Sequence, residues 1–370
     1  MAGLYIHIPF CHSKCAYCDF FSTPRRANTD EYISALEQEF HRRKSSITEP
    51  FQTIYIGGGT PSILTLRQLD RIIKFVSSDG IREFTIEVNP EDVTAEIAEY
   101  IAASPITRVS MGVQSLDDTE LDTIGRRHTA DDAVNAFETL SRAGIHNISL
   151  DLIYGLPGQT FESWKCTLSR IFALSPAHLS AYSLMYEPGT RLWAMKESGK
   201  IQESPQELSE AMYRELCNMA HVHGFDHYEI SNFAKPGLHS QHNSSYWNLT
   251  PYLGLGTGAH SFYGTCRYHN PNDIGKYISS NGDNTITEHL TATQQANEYL
   301  LIRLRTRQGL SLDDYALRFG HSKLNRLLHD ATPHISSRRI ILESGRMSIP
   351  ESMWLLTDTI LVDLIDIDDD

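Results

Sequence analysis

Three cysteines within eight residues constrain this chain more than any other feature. Cys11, Cys15 and Cys18 form a C-x3-C-x2-C set just after the strand-like run Leu4–Ile8. Thiols this close in sequence must share one tight loop, and sulfurs gathered on one loop invite a metal. Structural zinc takes four ligands, usually from two C-x2-C halves. Only one such half is present, and Cys166, Cys217 and Cys266 are scattered, so His7 or His12 would have to complete a zinc site. A [4Fe–4S] cluster suits the set better, because closely spaced thiolates are its usual ligands. Three thiolates on four irons leave one iron without a protein ligand.

The rest of the composition fits a reducing home for such a cluster. Six cysteines, half of them in this set, do not make the disulfide framework of a short secreted chain. The chain enters a strand at once without a signal-like leader, and no apolar run approaches the ~18–20 residues of a membrane span. The expected location is the cytoplasm, with no transmembrane segment. A net charge of −14 argues against nucleic acid as the main partner, since that needs a basic face.

Short β-rich runs alternate with amphipathic helical stretches. The runs are Leu4–Ile8, Thr53–Ile56, Phe84–Val88, Thr107–Met111, Ile148–Ile153 and Leu179–Ser183, with His227–Ser231 a seventh candidate. Several are almost continuously apolar, which suits parallel strands buried on both faces. Thr29, Thr65 and Thr129 stand where helices start, and Gly144 where one stops. The pattern predicts α/β architecture: a partial (β/α)6 barrel with ligands bound at the carboxyl ends of its strands. After residue 285 the character changes. Helical runs Thr293–Arg305, Leu312–Phe319 and Lys323–His329, then a hairpin within 339–349, predict a smaller winged-helix-like α+β domain over 286–370. The acidic tail Asp366–Asp370 reads as a solvated end.

Chemistry-bearing residues cluster at the ends of the expected strands. Gly57–Gly58–Gly59–Thr60–Pro61 follows the second, where glycines permit close backbone approach and free N–H groups would hold an anion. Glu87 ends the third, Gln114 the fourth, and Arg126 follows a short helix. Asp151 lies inside the apolar fifth strand, where an unpaired carboxylate costs several kcal/mol. Its partner is either Arg126, in a structural salt bridge, or a ligand.

Taken together, Y-x-H-I-P-F-C-x3-C-x2-C, G-G-G-T-P, E-x-N-P, G-x-Q-S and D-L-I-Y-G-L-P resemble the coproporphyrinogen dehydrogenase-like branch of the radical S-adenosylmethionine (SAM) superfamily. The resemblance spans roughly residues 4 to 320. It implies that the open iron is chelated by SAM, whose sulfonium bond is cleaved on cluster reduction. It also implies roles for named residues: Gly58, Gly59 and Thr60 at the methionine amino end, Arg126 at its carboxylate, and Glu87, Gln114 and Asp151 on the amino group and ribose. Tyr5 and Tyr17 would flank the cluster and the adenine.

Two departures point to a particular branch. The oxidative decarboxylases carry another cysteine two places after the third ligand, where this chain has Phe20, and they carry a longer N-terminal extension. Both departures resemble the HemW-type haem chaperones, as does His242–Asn243–Ser244–Ser245–Tyr246–Trp247, an H-N-x-x-Y-W motif. The resemblance implies haem binding and transfer to respiratory acceptor proteins, a reduced flavodoxin or ferredoxin-type electron donor, and a homodimer. The resemblance is compatible with SAM cleavage, and decarboxylation is not expected. A neutral imidazole is a good axial ligand for haem iron. His242 is therefore the candidate ligand, with Tyr246 and Trp247 as packing partners and His260 as the lesser candidate; the alternative for His242 is an ordinary hydrogen-bonded residue. Two rivals follow, an oxygen-independent coproporphyrinogen III dehydrogenase and a zinc-stabilised interaction protein.

Overall fold

The computed structural model describes residues 1–366 of the 370-residue chain. Six parallel strands form the centre of the sheet in sequence order: β1 (Ala2–Ile8), β2 (Phe51–Gly58), β3 (Glu83–Val88), β4 (Arg108–Gln114), β5 (Ile148–Tyr154) and β6 (His178–Ser183). Helices Thr29–Arg43, Leu66–Val76, Ala95–Ala103, Ala130–Arg142 and Phe161–Leu174 make the crossovers, giving a partial (β/α)6 barrel. Thr65 and Thr129 cap their helices through reciprocal bonds with Gln68 and Asp132, and Gly144 turns out of its helix at φ 93°. Thr29 is not a cap: it is the first helical residue and donates to the carbonyl of Arg26 at 2.7 Å.

The strands carry a regular exception to their burial. In β1, β3, β4 and β5 every residue is buried except one, and those four are Tyr5, Glu87, Gly112 and Asp151. Helices cover the outer face, so the breaks mark the inner face, where side chains border cavities instead of core.

Residues 226–289 extend this sheet at both edges. β7 (Asp226–Glu229) and β8 (Asn232–Ala234) form an antiparallel pair beyond β6. The seventh run is therefore a strand, but it belongs to a hairpin, not to another parallel unit. On the other side β9 (Tyr252–Leu255) lies parallel to β1, followed by antiparallel β10 (His260–Tyr263), β11 (Cys266–His269) and β12 (Ile286–His289). β12 falls inside the stretch assigned to the smaller domain, so the change of core comes near Leu290. From there a second cluster, including Tyr299, Leu300, Leu310, Met347 and Trp354, packs helices against a three-stranded sheet. Gly320, at φ 88° and ψ 159°, breaks the helical run there as expected, although the second helix continues to Ser336. Asp366 accepts from Lys323 Nζ at 3.3 Å, and the remaining acidic tail lies outside the described residues.

Candidate cluster and cofactor site

The loop carrying the cysteines leaves β1 at Ile8 and is tied down by backbone bonds from Cys11 to Thr23, at 3.1 Å, and from Ala16 to Ile124, at 2.8 Å. Cys11, Cys15 and Cys18 line one wall of a cavity of about 550 Å³ inside the barrel. Burial pushes the Cys11 thiol up and the Cys18 thiol to about 11, so ionising them calls for a nearby cation, which iron supplies. A tetrahedral zinc with Zn–S near 2.3 Å would draw sulfurs to about 3.8 Å from one another. These three do not all gather even within 4.8 Å; among the described residues only Cys217, His227 and Glu351 bring donor atoms that close. The imidazoles that would complete a zinc site are engaged elsewhere. His7 bonds Tyr5 and the carbonyl of Phe21, and His12 bonds Asp92 at 3.0 Å. The arrangement fits a cluster wider than a single ion.

The same cavity is lined by Gly58, Gly59, Thr60, Glu87, Gln114, Arg126, Asp151 and Tyr17. The glycine loop works differently from the expectation. Gly58 N–H donates to Glu87 Oε2 at 2.9 Å and Gly59 N–H to the carbonyl of Ile8 at 2.7 Å, so neither is free to hold an anion. The glycines serve close approach instead. Gly58 has φ 114°, and a Cβ on Gly59 would stand 2.5 Å from the carbonyl of Phe10. Desolvation pushes the Glu87 carboxyl up to about 7, against the opposing hydrogen bonds from Tyr55 and Gly58. Gln114 holds φ 67°, a conformation rare outside glycine and often kept at functional positions.

Arg126 and Asp151 do not pair. Arg126 donates to the carbonyl of Gly112 at 2.5 Å, to Asn89 Oδ1 at 2.8 Å and to Cys15 Sγ at 3.5 Å, while its Nε stays buried without a partner. Asp151 accepts from Ser110 at 3.1 Å and from Ser149 at 3.4 Å. Its buried carboxyl is pushed up by desolvation and held back by Arg108. A guanidinium and a carboxylate served only by hydroxyls, both lining one cavity, fit a ligand bearing both an anion and hydrogen-bond donors. Arg108, Asn89, Ser110 and Tyr182 were not singled out from sequence. Arg108 carried a signal there, a cation at the head of an apolar strand.

Tyr5 does not join this group. It lines a second cavity of about 630 Å³, which shares Asp19, Phe20, Tyr55, Glu87, Tyr182 and Asn243 with the first. Phe20 borders both and is 67% exposed. The H-N-x-x-Y-W motif forms a short helix, Gln241–Trp247, pinned at its N-terminus by the buried Glu83 carboxylate, which accepts from the backbone of Gln241 and of His242, each at 2.8 Å. Its neighbours Gly3, Thr53 and Glu83 lie at the starts of β1, β2 and β3. His242 therefore closes the amino end of the barrel, roughly 17 Å along β2 from Gly58 at about 3.3 Å per residue, and not the carboxyl end where the other motifs gather. Tyr246 shares its helix face at i+4 and lines the second cavity. Trp247 turns away and lines neither; its carbonyl accepts from Arg303 of the smaller domain at 3.2 Å.

Both ring nitrogens of His242 are taken, by Thr53 Oγ1 and by the Tyr246 hydroxyl, each at 2.8 Å. Burial lowers the ring to about 3, so it is neutral. In this arrangement it is a satisfied hydrogen-bonding residue with no lone pair facing the cavity. For His242 to ligate iron, one of these two hydrogen bonds would have to break.

Residues 5–171 match the model of the radical SAM superfamily. The haem chaperone HemW of Bacillus subtilis is 37% identical over 87% of this chain and 88% of its own length. The HemW haem chaperone of Lactococcus lactis is 35% identical over 85% of this chain and 84% of its own length. Among solved structures, the coproporphyrinogen III oxidase HemN of Escherichia coli, described as a radical SAM enzyme, superposes with a TM-score of 0.84. It does so over 98% of this chain and 90% of its own length, at 23% identity, a likeness of fold. No helix among the described residues is long and apolar enough to cross a membrane. With identity above 30% along nearly the whole length of its relatives, the chain belongs to the HemW haem chaperone family within the radical SAM superfamily.

Proposed function

We propose that this protein is a cytoplasmic haem chaperone that holds a [4Fe–4S] cluster on Cys11, Cys15 and Cys18, binds SAM in the first cavity and haem in the second, and passes the haem to respiratory acceptor proteins. The observation that carries the reading is the pair of adjoining cavities. One is lined by the three sulfurs and by the charged and polar side chains of Glu87, Gln114, Arg126 and Asp151; the other is aromatic, bordered by Tyr5, Tyr55, Tyr246 and Tyr252. A volume near 630 Å³ falls within the range of preformed sites for sizeable organic ligands. A [4Fe–4S] cluster held by Cys11, Cys15 and Cys18 would supply the electron that cleaves the sulfonium of SAM. The chain's own part is to orient that ligand. Arg126 faces its carboxylate, Glu87 and Gln114 receive its ammonium group, and Asp151, with Ser110, receives the ribose hydroxyls; Tyr17 covers the cluster side. Tyr5 belongs to the haem wall in this reading. The reductant is a flavodoxin or ferredoxin-type protein, and the working unit a homodimer.

The competing reading is the oxidative decarboxylase suggested by the shared fold. Phe20 stands where those enzymes carry a further cysteine, and it opens onto both cavities. The test is an anaerobic haem titration of the cluster-loaded protein, run beside an assay with coproporphyrinogen III, SAM and a reductant. Saturable haem binding without protoporphyrinogen IX is expected. Formation of protoporphyrinogen IX would overturn the chaperone reading.

A further inference from the structure

Four histidines border the second cavity: His7, His242, His260 and His269. Iron ligation needs a ring nitrogen whose lone pair faces the metal. His7 is bonded through Nδ1 to Tyr5 at 3.1 Å and through Nε2 to the carbonyl of Phe21 at 2.8 Å. His242 is bonded through both nitrogens as well. The other two form a directly opposed cross-strand pair on β10 and β11, with ring centroids 5.7 Å apart and planes 26° from parallel. No described residue makes a hydrogen bond to either ring.

Register decides between them and sets their height in the barrel. Gly254 pairs with Tyr5, and a Cβ on Gly254 would meet the His260 carbonyl at 1.9 Å, so His260 stands level with Tyr5. It is thus nearer the cysteine loop than His242, which neighbours Gly3. The preceding turn touches that loop's continuation: a Cβ on Gly258 would lie 3.4 Å from Cβ of Phe21. His260 is the exposed member of the pair, and His269 lies half-buried behind it. Stacked rings point their nitrogens sideways, so the two cannot grip one iron from opposite faces.

Resting on the haem-binding reading above, we infer that His260 is the axial ligand of haem in the second cavity and that His269, stacked against it, is a positioning residue. Tyr5, Tyr55 and Tyr246 then face the macrocycle, and His242 holds the floor beneath it.

The test uses full-length, anaerobically reconstituted protein titrated with haem and followed by optical and electron paramagnetic resonance spectra. The wild type is expected to show one histidine on iron. His260→Ala should lose that signature and at least tenfold in affinity, with cluster iron and sulfide unchanged, and added imidazole should restore the signature. His269→Ala should keep the signature with several-fold weaker binding. An unaltered spectrum in His260→Ala, or loss of the signature in His242→Ala with the cluster and fold intact, would overturn the assignment. Failure of the wild type to bind haem at all would remove the haem-binding reading itself.

Discussion

Nε2 of His242 lies 2.8 Å from the hydroxyl of Tyr246, four residues along the same helical face, while Nδ1 lies 2.8 Å from Oγ1 of Thr53. The two bonds hold the helix Gln241–Trp247 against the starts of the barrel strands. Tyr246→Phe should therefore act on stability, leaving a buried nitrogen without its partner at a cost of about 1–3 kcal/mol. Chemical denaturation of the cluster-loaded protein checks this. A change confined to the haem spectrum, with stability untouched, would assign the pair to the ligand instead.

Cys15→Ala should abolish cluster assembly, because in the proposed site each of the three thiolates would hold a separate iron. Iron and acid-labile sulfide are the readouts. A full complement of both in the variant would mean that other ligands hold the cluster.

In the proposed site Glu87 should give SAM binding a pH dependence. Its carboxyl is pushed up to about 7 by desolvation, so near neutrality it is divided between its neutral and ionised forms. A cationic ammonium group prefers the ionised form, whose share rises as pH climbs through 7. Affinity for SAM should therefore increase about tenfold between pH 6 and pH 8. Glu87→Gln should flatten the profile at low affinity. A wild-type profile that is flat, or that falls over this range, would separate Glu87 from the ligand.

Asp151→Ala should weaken SAM binding while the cluster assembles normally. The carboxylate is served by Ser110 and Ser149 and balanced by Arg108, with no bond to any cluster cysteine. Equilibrium binding of SAM to the loaded variant checks it; unchanged affinity would return Asp151 to a structural role.

Much of the parallel core was legible because a strand buried on both faces leaves a near-continuous apolar run, and polar interruptions in such runs stand out. Asp151 announced itself this way, and Glu87 and Gln114 lie at strand ends where loops gather. The outer strands were not legible. β9 to β12 are four residues each, β9 joins the sheet through β1 at the other end of the chain, and runs this short carry little periodicity. Arg108 lies inside the fourth run yet is buried, because a cation near the start of a strand reads as a solvated end. The motif around His242 shows a different limit. A short helix puts its fourth neighbour on the same face and its fifth on another, which separates Tyr246 from Trp247. Which end of the barrel the helix closes depends on Glu83, more than 150 positions away in the chain.

The most direct test asks whether one iron lacks a protein ligand and meets SAM. Reduced, cluster-loaded protein should give an electron paramagnetic resonance spectrum whose g-values shift on adding SAM, and the shift should be lost with Arg126→Gln at the same SAM concentration. A spectrum indifferent to SAM at saturating concentration, or protein purified without oxygen that carries stoichiometric zinc and no sulfide, would contradict the account.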